Sequence, residues 1–259
     1  MNQHHTKLKL RELALDALAL LWPTACAGCG ALDRELCDGC RDEIVTGPPA
    51  QPLVRVDGAG APCYAASEYA GALRSVLLSY KHGGAYGFVR PLGARLRTTL
   101  VAALAATPET TPDARPGARP GSPMPLVVPA PSRRQRTRER GWRHVDELVR
   151  VALLRGRLPL ERCSALAASR GRTGQVGLSA VAREANASRI TVRRSKTRTV
   201  HGRSVVLVDD IVTTGATARA AVAALEAAGA TVVAVVALCS AVRRDAPQKT
   251  EWNLTGERG

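Results

Sequence analysis

Residues Ser204–Gly229 read SVVLVDDIVTTGATARAAVAALEAAG, and this stretch decides the fold. It begins with the apolar, β-branched run Val205–Val208, which is short enough to be one buried strand. The acids Asp209 and Asp210 follow, and a hydroxyl-rich turn then leads into an apolar-periodic helix that ends at Gly229. Strand, acidic pair, loop and helix form one unit of the α/β architecture that we predict, a mostly parallel sheet flanked by helices.

The chemistry of the loop favours a phosphate site. Backbone N–H groups of the loop and the helix N-terminus can face an anion, because the first helical turn leaves donors unpaired and carries positive partial charge. Gly215 permits a close backbone approach. The two carboxylates would repel a bare phosphate, so ribose hydroxyls with Mg²⁺ nearby are better ligands for them. The alternative is an ordinary strand–turn–helix whose acids merely cap a helix.

The pattern of a hydrophobic strand, two acids, two apolar residues, Thr-Thr-Gly and a further Thr closely resembles the phosphoribosyl-pyrophosphate signature of type I phosphoribosyltransferases. The resemblance implies that Asp209 and Asp210 hold the ribose 2′- and 3′-hydroxyls. It also implies that a loop of five residues wraps the 5′-phosphate: Thr213, Thr214, Gly215, Ala216 and Thr217.

The composition bounds the possible partners. The 259 residues include 37 Lys and Arg against 22 Asp and Glu, a formal net charge of +15. This balance favours phosphate-rich partners, either nucleotides or nucleic acid, although a coding bias toward Arg would produce it too. Aromatic residues make up 3 %, which argues against a platform for base stacking. Glu12 and Asp16 interrupt the N-terminal apolar stretch, so we expect neither a secretion signal nor a membrane span. We therefore expect a cytoplasmic protein.

Four of the seven cysteines form two C-x-x-C pairs separated by a short spacer: Cys26, Cys29, Cys37 and Cys40. Four thiolates match the closed tetrahedral site of structural zinc, which leaves no open position for catalysis. A pair of redox C-x-x-C motifs is the alternative, but neither pair follows a strand and opens a helix as in thioredoxin. The other three cysteines, Cys63, Cys163 and Cys239, lie in apolar surroundings and are expected to be buried.

These signals divide the chain into three parts. We predict an N-terminal helix and zinc lobe at residues 1–46, a phosphoribosyltransferase-like domain at 62–242 and a flexible tail at 243–259, with a linker at 47–61. Six prolines mark a disordered insertion at 107–125.

A second basic stretch follows the predicted strand Leu126–Pro129. Six arginines fall between Arg133 and Arg143, a density suited to polyphosphate because guanidinium groups bind phosphate in a bidentate manner. A solvated basic loop or a nucleic-acid patch would look the same. Lys81, beside two glycines, either reaches a phosphate or is a cation at a helix C-terminus.

Several motifs occur in one order along the chain: the C-x-x-C pairs, Tyr80-Lys81-His82-Gly-Gly, Pro-x-Pro with Arg138-Glu-Arg140-Gly-Trp, RTGQ from Arg172, Arg183-x-x-Asn, and the acidic-pair signature. In this combination the chain resembles the ComF family, phosphoribosyltransferase-like proteins linked to competence and DNA uptake. The resemblance implies pyrophosphate-binding or hood roles for Lys81, Arg133, Arg138, Arg140, Arg172, Gln175 and Arg183. Two segments depart from the family pattern. Arg143-His144 replaces the common Asn-Gln, and Tyr80-Lys81-His82 replaces Phe-Lys-Tyr.

Two functions remain open. One is an enzyme that binds phosphoribosyl pyrophosphate with Mg²⁺ and transfers the phosphoribosyl group to an unidentified acceptor, although no residue stands out as a general base. The other is a binding protein that senses phosphoribosyl pyrophosphate or a nucleotide and contacts single-stranded DNA or DNA-uptake proteins.

Overall fold

The protein is described by a computed structural model that covers residues 24–32, 34–47, 51–53 (backbone only), 60–82, 84–107, 124–132, 141–154, 158–168 and 190–241. Several predictions lie outside these residues: the helix before the cysteines, most of the proline-rich insertion, the C-terminal tail, and the arginine-rich and RTGQ segments.

Eight strands are described: β1 (Gln51–Leu53), β2 (Cys63–Glu68), β3 (Leu126–Pro129), β4 (Glu161–Arg162), β5 (Leu166–Ala168), β6 (Ile190–Val192), β7 (Ser204–Val212) and β8 (Thr231–Ser240). Six form one sheet in the order β1-β2-β8-β7-β3-β4, in which β1 is antiparallel to β2 and the remaining pairings are parallel. Strands β5 and β6 form a separate antiparallel pair. The predicted mostly parallel sheet is confirmed.

Six α-helices are described: α1 (Asp38–Thr46), α2 (Gly71–His82), α3 (Val89–Ala106), α4 (His144–Leu154), α5 (Thr197–Val200) and α6 (Ala216–Ala227). Short 3₁₀ turns precede α3 and α5. No helix in the described part of the chain is long and apolar enough to cross a membrane.

Helices cover both faces of the sheet, so the central strands β7 and β8 are buried on both sides. Val206 and Val208 belong to a core that also contains residues of α2, α3 and α4, whereas Val205 and Leu207 pack in a second core with α6. An apolar run without polar alternation is the pattern of a parallel strand between two helical layers. The sequence therefore predicted the burial of β7 correctly.

Helices α3 and α4 pack closely where Gly93 of α3 faces Val151 of α4. A Cβ added to Gly93 of α3 would lie 2.6 Å from Cγ1 of Val151 in α4. This close approach fixes α4 against α3, and the first residue of α4 is His144.

One local expectation needs correction, and the structure adds one short helix. Residues 47–61 are not only a linker, because Gln51–Leu53 pairs with β2 as the antiparallel edge strand. The basic segment from Arg193 to Arg203 contains the one-turn helix α5, whose Val200 is fully buried. In both places a short element gains its stability from tertiary contacts rather than from its own periodicity.

Candidate functional site

The predicted phosphate loop leaves β7 at the carboxyl edge of the sheet, where open α/β sheets bind their ligands. Gly215 has φ +73°, the left-handed conformation that favours glycine, and α6 begins at the next residue without a side-chain cap. Thr213, Thr214 and Thr217 are exposed. Arg219 donates from Nη1 to the carbonyl oxygen of Thr214 at 2.7 Å, which holds the loop against the first turns of α6.

Asp210 is buried at this edge, with a relative exposure of 5 %. Its Oδ2 lies 2.9 Å from Nζ of Lys81 on α2 and 2.5 Å from Nε2 of His144 on α4. Asp209 is half-buried, and its Oδ1 accepts a hydrogen bond of 2.8 Å from the backbone N–H of Asp210. Asp210 therefore binds two side chains that come from two helices, whereas Asp209 lies closer to solvent.

The pKa values of the two neighbouring carboxyl groups are shifted in opposite directions. Burial and the Asp210 carboxylate raise the pKa of Asp209 well above its usual value. Burial also disfavours the charge on Asp210, but the hydrogen bonds and positive charges of His144 and Lys81 outweigh it and hold the pKa of Asp210 below its usual value. Asp210 is therefore the more acidic member of the pair.

His144 connects Asp210 to the loop that follows β3. Its Nδ1 lies 3.1 Å from Oγ of Ser132, while Nε2 faces Asp210. The hydroxyl of the buried Tyr80 donates to the backbone carbonyl of His144 at 2.9 Å. The Tyr80 ring packs on Trp142, with ring centroids 4.5 Å apart. The position of His144 is thus fixed through its backbone as well as through its side chain.

A cavity of about 400 Å³ opens beside Ser132. The end of β3, the start of α4 and the β5–β6 pair enclose it, and its lining comprises Pro129, Ala130, Pro131, Ser132, Arg143, Asp146, Ser164, Leu166, Ala167, Ala168 and Arg193. Inside it, Oδ1 of Asp146 contacts Ser164 Oγ at 2.6 Å and Arg162 Nη1 at 3.1 Å. Arg162 balances the Asp146 charge, and Arg143 and Arg193 add two further cationic side chains to the lining.

The structure thus brings part of the predicted site together. Asp209, Asp210 and the loop to Thr217 lie at one edge, with Lys81 bound to Asp210. The remaining predicted pyrophosphate and hood residues lie outside the described residues: Arg133, Arg138, Arg140, Arg172, Gln175 and Arg183. Sequence reasoning missed the roles of Ser132 and His144, and the available signal was the departure from the family pattern at His144.

The four paired cysteines converge on one point at the N-terminal end of the described chain. The sulfur atoms of Cys26, Cys29, Cys37 and Cys40 all lie within 4.8 Å of one another. Cys29 and Cys37 have their sulfurs 3.7 Å apart. Zn–S bonds of about 2.3 Å in a tetrahedron place sulfurs about 3.8 Å apart, so the cluster is compatible with structural zinc.

Hydrogen bonds around the cluster favour thiolate at one position. Burial raises the pKa of Cys26, but backbone N–H groups that include those of Cys37 and Gly28 oppose it and bring the pKa to about 6. Burial and the neighbouring sulfurs raise the pKa of Cys40. Four thiols this close cannot all ionise unless a cation compensates them, which is the electrostatic role that a bound metal ion has in such a site.

The cysteine lobe is continuous with the main core. Cys26, Cys40 and Ile44 are buried in the same cluster as α2 and α3. Arg95 of α3 donates to the carbonyl of Gly47 at 2.7 Å and to that of Ala66 in β2 at 2.6 Å. The end of α1 is thereby tied to the sheet through one buried guanidinium.

The other three cysteines, Cys63, Cys163 and Cys239, are buried as predicted.

Part of the chain is similar to a known protein family. Residues 158–256 match the family model of the phosphoribosyl transferase domain. The matched segment contains the acidic pair, the threonine loop and α6. No curated protein matches the chain.

Proposed function

We propose that the protein binds phosphoribosyl pyrophosphate together with Mg²⁺ and transfers its phosphoribosyl group to an acceptor. The observation that carries the proposal is the path of the chain from the acidic end of β7 through the left-handed Gly215 into α6. A phosphate at this turn would meet backbone N–H donors, three threonine hydroxyls and the positive end of a helix dipole.

In this proposal, the ligand extends along the carboxyl edge from β7 to β3. These strands are neighbours, with Pro129 opposite Val208, so the acidic pair and the residues that follow β3 lie at the same end of adjacent strands. The 5′-phosphate occupies the threonine loop, and the half-buried Asp209 takes ribose hydroxyls. The pyrophosphate lies toward the cavity, where Arg143 and Arg193 provide positive charge.

The donor set at the edge fits a magnesium ion that is bound mainly through its ligand. Mg²⁺ prefers oxygen and keeps several waters, and it is commonly held by one or two carboxylates together with substrate phosphates. Asp209 offers a carboxylate beside exposed threonine hydroxyls. When bound, Mg²⁺ would neutralise charge on the pyrophosphate.

The chain's own residues would act by positioning and electrostatics. The bond between the anomeric carbon and pyrophosphate breaks while positive charge develops on the ribose, and the carboxylates at the end of β7 stabilise that charge. Arginines at the cavity stabilise the departing anion. Holding donor and acceptor in line supplies much of the remaining rate enhancement.

Within the phosphoribosyltransferase-like proteins, we assign the chain to the ComF family on the order of motifs that it shares with that family. The assignment brings a competence role and a cytoplasmic location with it as proposals, and zinc as the ion of the cysteine cluster. Single-stranded DNA would then be a partner of the basic surface, with an affinity that falls steeply as salt rises.

Calorimetric titration of the full chain with phosphoribosyl pyrophosphate and Mg²⁺ tests the binding claim. Asp209→Ala is expected to abolish binding, while Asp38→Ala, an exposed acid on α1, leaves it unchanged. Equal affinity for the Asp209 variant and the wild type would refute the assignment of the ribose site.

The transfer claim has its own measurement. Pyrophosphate release from the bound ligand is followed across a panel of nucleobases and other nitrogen nucleophiles. Tight binding without release for any acceptor would assign the protein to the alternative class, in which phosphoribosyl pyrophosphate or a nucleotide is a signal rather than a substrate.

A further inference from the structure

The His144 side chain touches both the acidic pair and the wall of the cavity. Its Nε2 is 2.5 Å from Oδ2 of Asp210, and its Nδ1 is 3.1 Å from Oγ of Ser132. Ser132 in turn lines the cavity. Asp210, His144 and Ser132 therefore form a hydrogen-bonded chain that runs from a buried carboxylate to a solvent-accessible hydroxyl.

The direction of these hydrogen bonds depends on the protonation of His144. An ionised Asp210 can only accept, so Nε2 of His144 carries a hydrogen in either state. In neutral His144, Nδ1 is an acceptor and takes the hydroxyl hydrogen of Ser132. In protonated His144, Nδ1–H donates to Ser132, and the hydroxyl hydrogen is then released to point into the cavity.

We propose that Asp210, His144 and Ser132 form a proton relay that links the binding of a phosphoryl anion in the cavity to protonation of His144. Phosphoryl oxygens accept hydrogen bonds and need a donor. Ser132 offers its hydrogen to the cavity only when His144 is protonated, and the added positive charge favours the anion as well. The proposal deepens the assignment of the cavity to pyrophosphate and rests on it.

Charged and titratable groups from neighbouring elements lie near His144. The carboxylate of Asp210 on β7 is the counter-charge for a protonated His144. The positively charged Lys81 on α2 contacts the same carboxylate oxygen as His144. Asp209 is bonded to the backbone of Asp210, and Cys239 of β8 interacts electrostatically with Asp210. Tyr80 contributes its hydroxyl to the backbone of His144 and not to the ring.

In the transfer reaction, the relay would assist departure of pyrophosphate. As the bond between the anomeric carbon and the pyrophosphate oxygen breaks, the electron pair stays on that oxygen. Ser132 passes its proton to the leaving group and receives the Nδ1 proton of His144. His144 becomes neutral, and Asp210 keeps its Nε2–H in place throughout. Ser132 is then the catalytic residue, and His144 and Asp210 act through it.

Inorganic pyrophosphate is the probe for the test, titrated calorimetrically into the full chain from pH 5 to pH 8. Titration in two buffers of different ionisation enthalpy gives the number of protons taken up on binding, and the acid–base behaviour of free pyrophosphate is subtracted. The wild type is compared with His144→Gln, which restores the residue common in the ComF family, and with Ser132→Ala. His201→Gln is the matched control, because His201 is exposed and precedes the opposite end of β7.

The wild type and the His201 variant are expected to take up as much as about one proton more per bound pyrophosphate than His144→Gln or Ser132→Ala. Relative to His144→Gln, the wild-type affinity is expected to fall by as much as about tenfold per pH unit wherever binding takes up one proton. Pyrophosphate binding with equal proton uptake in the wild type and His144→Gln would overturn the relay and leave the cavity assignment intact.

If a variant does not fold, the proton uptake of the wild type is the deciding measurement. Zero net uptake after the contribution of free pyrophosphate is subtracted would reject the relay. Absence of pyrophosphate binding at any pH would reject the cavity assignment and the relay together. The site for phosphoribosyl pyrophosphate at the threonine loop is judged separately, by the Asp209→Ala titration.

Discussion

Replacing Asp210 by Asn is expected to destabilise the fold by about 3 kcal/mol, the low end of the range for breaking a buried ion pair. The Asp210 side chain is 6 % exposed and that of Lys81 is 16 % exposed, so the substitution leaves an ammonium without its carboxylate in a poorly hydrated place. The low end applies because the amide of Asn still accepts one hydrogen bond. Release of repulsion on Asp209 offsets a further part.

Urea unfolding measures this change as a shift in midpoint at constant slope. Asp38→Asn is the control, because the Asp38–Arg41 pair is exposed and such pairs contribute about 0.5 kcal/mol or less. A loss below about 1 kcal/mol in Asp210→Asn would refute the interpretation of Asp210 as a buried ionic centre.

The pH dependence of the same difference follows from the pKa of Asp210. Its value in the folded protein is below that of the unfolded chain, so the stabilisation is fully present above about pH 4 and is lost as pH falls through the folded-state pKa. The contribution of Asp210 to the gap in unfolding free energy between the wild type and Asp210→Asn should therefore shrink as the pH falls below about 4. A gap that widens on acidification would contradict the sign of the shift.

The remaining predictions concern the loop, the cysteine cluster and the helix contact. Gly215→Ala and Gly202→Ala both strain a left-handed residue, with φ +73° and +69°, at about 1–2 kcal/mol each; only Gly215→Ala should weaken calorimetric binding of phosphoribosyl pyrophosphate. The purified protein should contain about one zinc ion by elemental analysis, and Cys40→Ser should lower both zinc content and melting temperature; a folded, metal-free wild type with reduced thiols would exclude the zinc assignment. Gly93→Ala should cost about 1–3 kcal/mol by overpacking against α4, whereas Gly87→Ala, with no atom within 4 Å of the added Cβ, should change the unfolding free energy little.

Local pattern predicted the elements whose burial is decided within one segment. The strand at Val205–Val208, the following helix and the strand Leu126–Pro129 were all read from apolar runs and turn residues. The structure has the helix and Leu126–Pro129 at nearly the same bounds, whereas β7 extends to Val212 and includes the acidic pair. The cysteine cluster was predictable for the same reason, since two C-x-x-C turns bring four sulfurs together over a short distance.

The elements that the sequence did not predict form because of tertiary contacts. β1 is three residues long and exists through its pairing with β2, and α5 is a single turn around the buried Val200. The start of α4 is held by the hydroxyl of Tyr80, which is 64 residues away in the sequence. Propensity and periodicity do not contain such information, because neither depends on a distant partner.

The partners of Asp210 could not be predicted for a related reason. An acidic pair at a strand end indicates a ligand, but only the packing of α2 and α4 on the same face of the sheet places Lys81 and His144 at one oxygen. The resemblance to a family identified His144 as unusual without indicating what it contacts.

The same packing makes His144 a favourable place to separate chemistry from structure. Its backbone carbonyl is bound by Tyr80, and the Tyr80 ring rests on Trp142, so α4 begins at a position that does not depend on the imidazole. A glutamine there would still donate to Asp210 and accept from Ser132, but it cannot gain a proton. Substitution of His144 by Gln should therefore preserve the hydrogen-bonded chain while removing its response to pH, and a difference between the two proteins in proton uptake can be attributed to the ring itself.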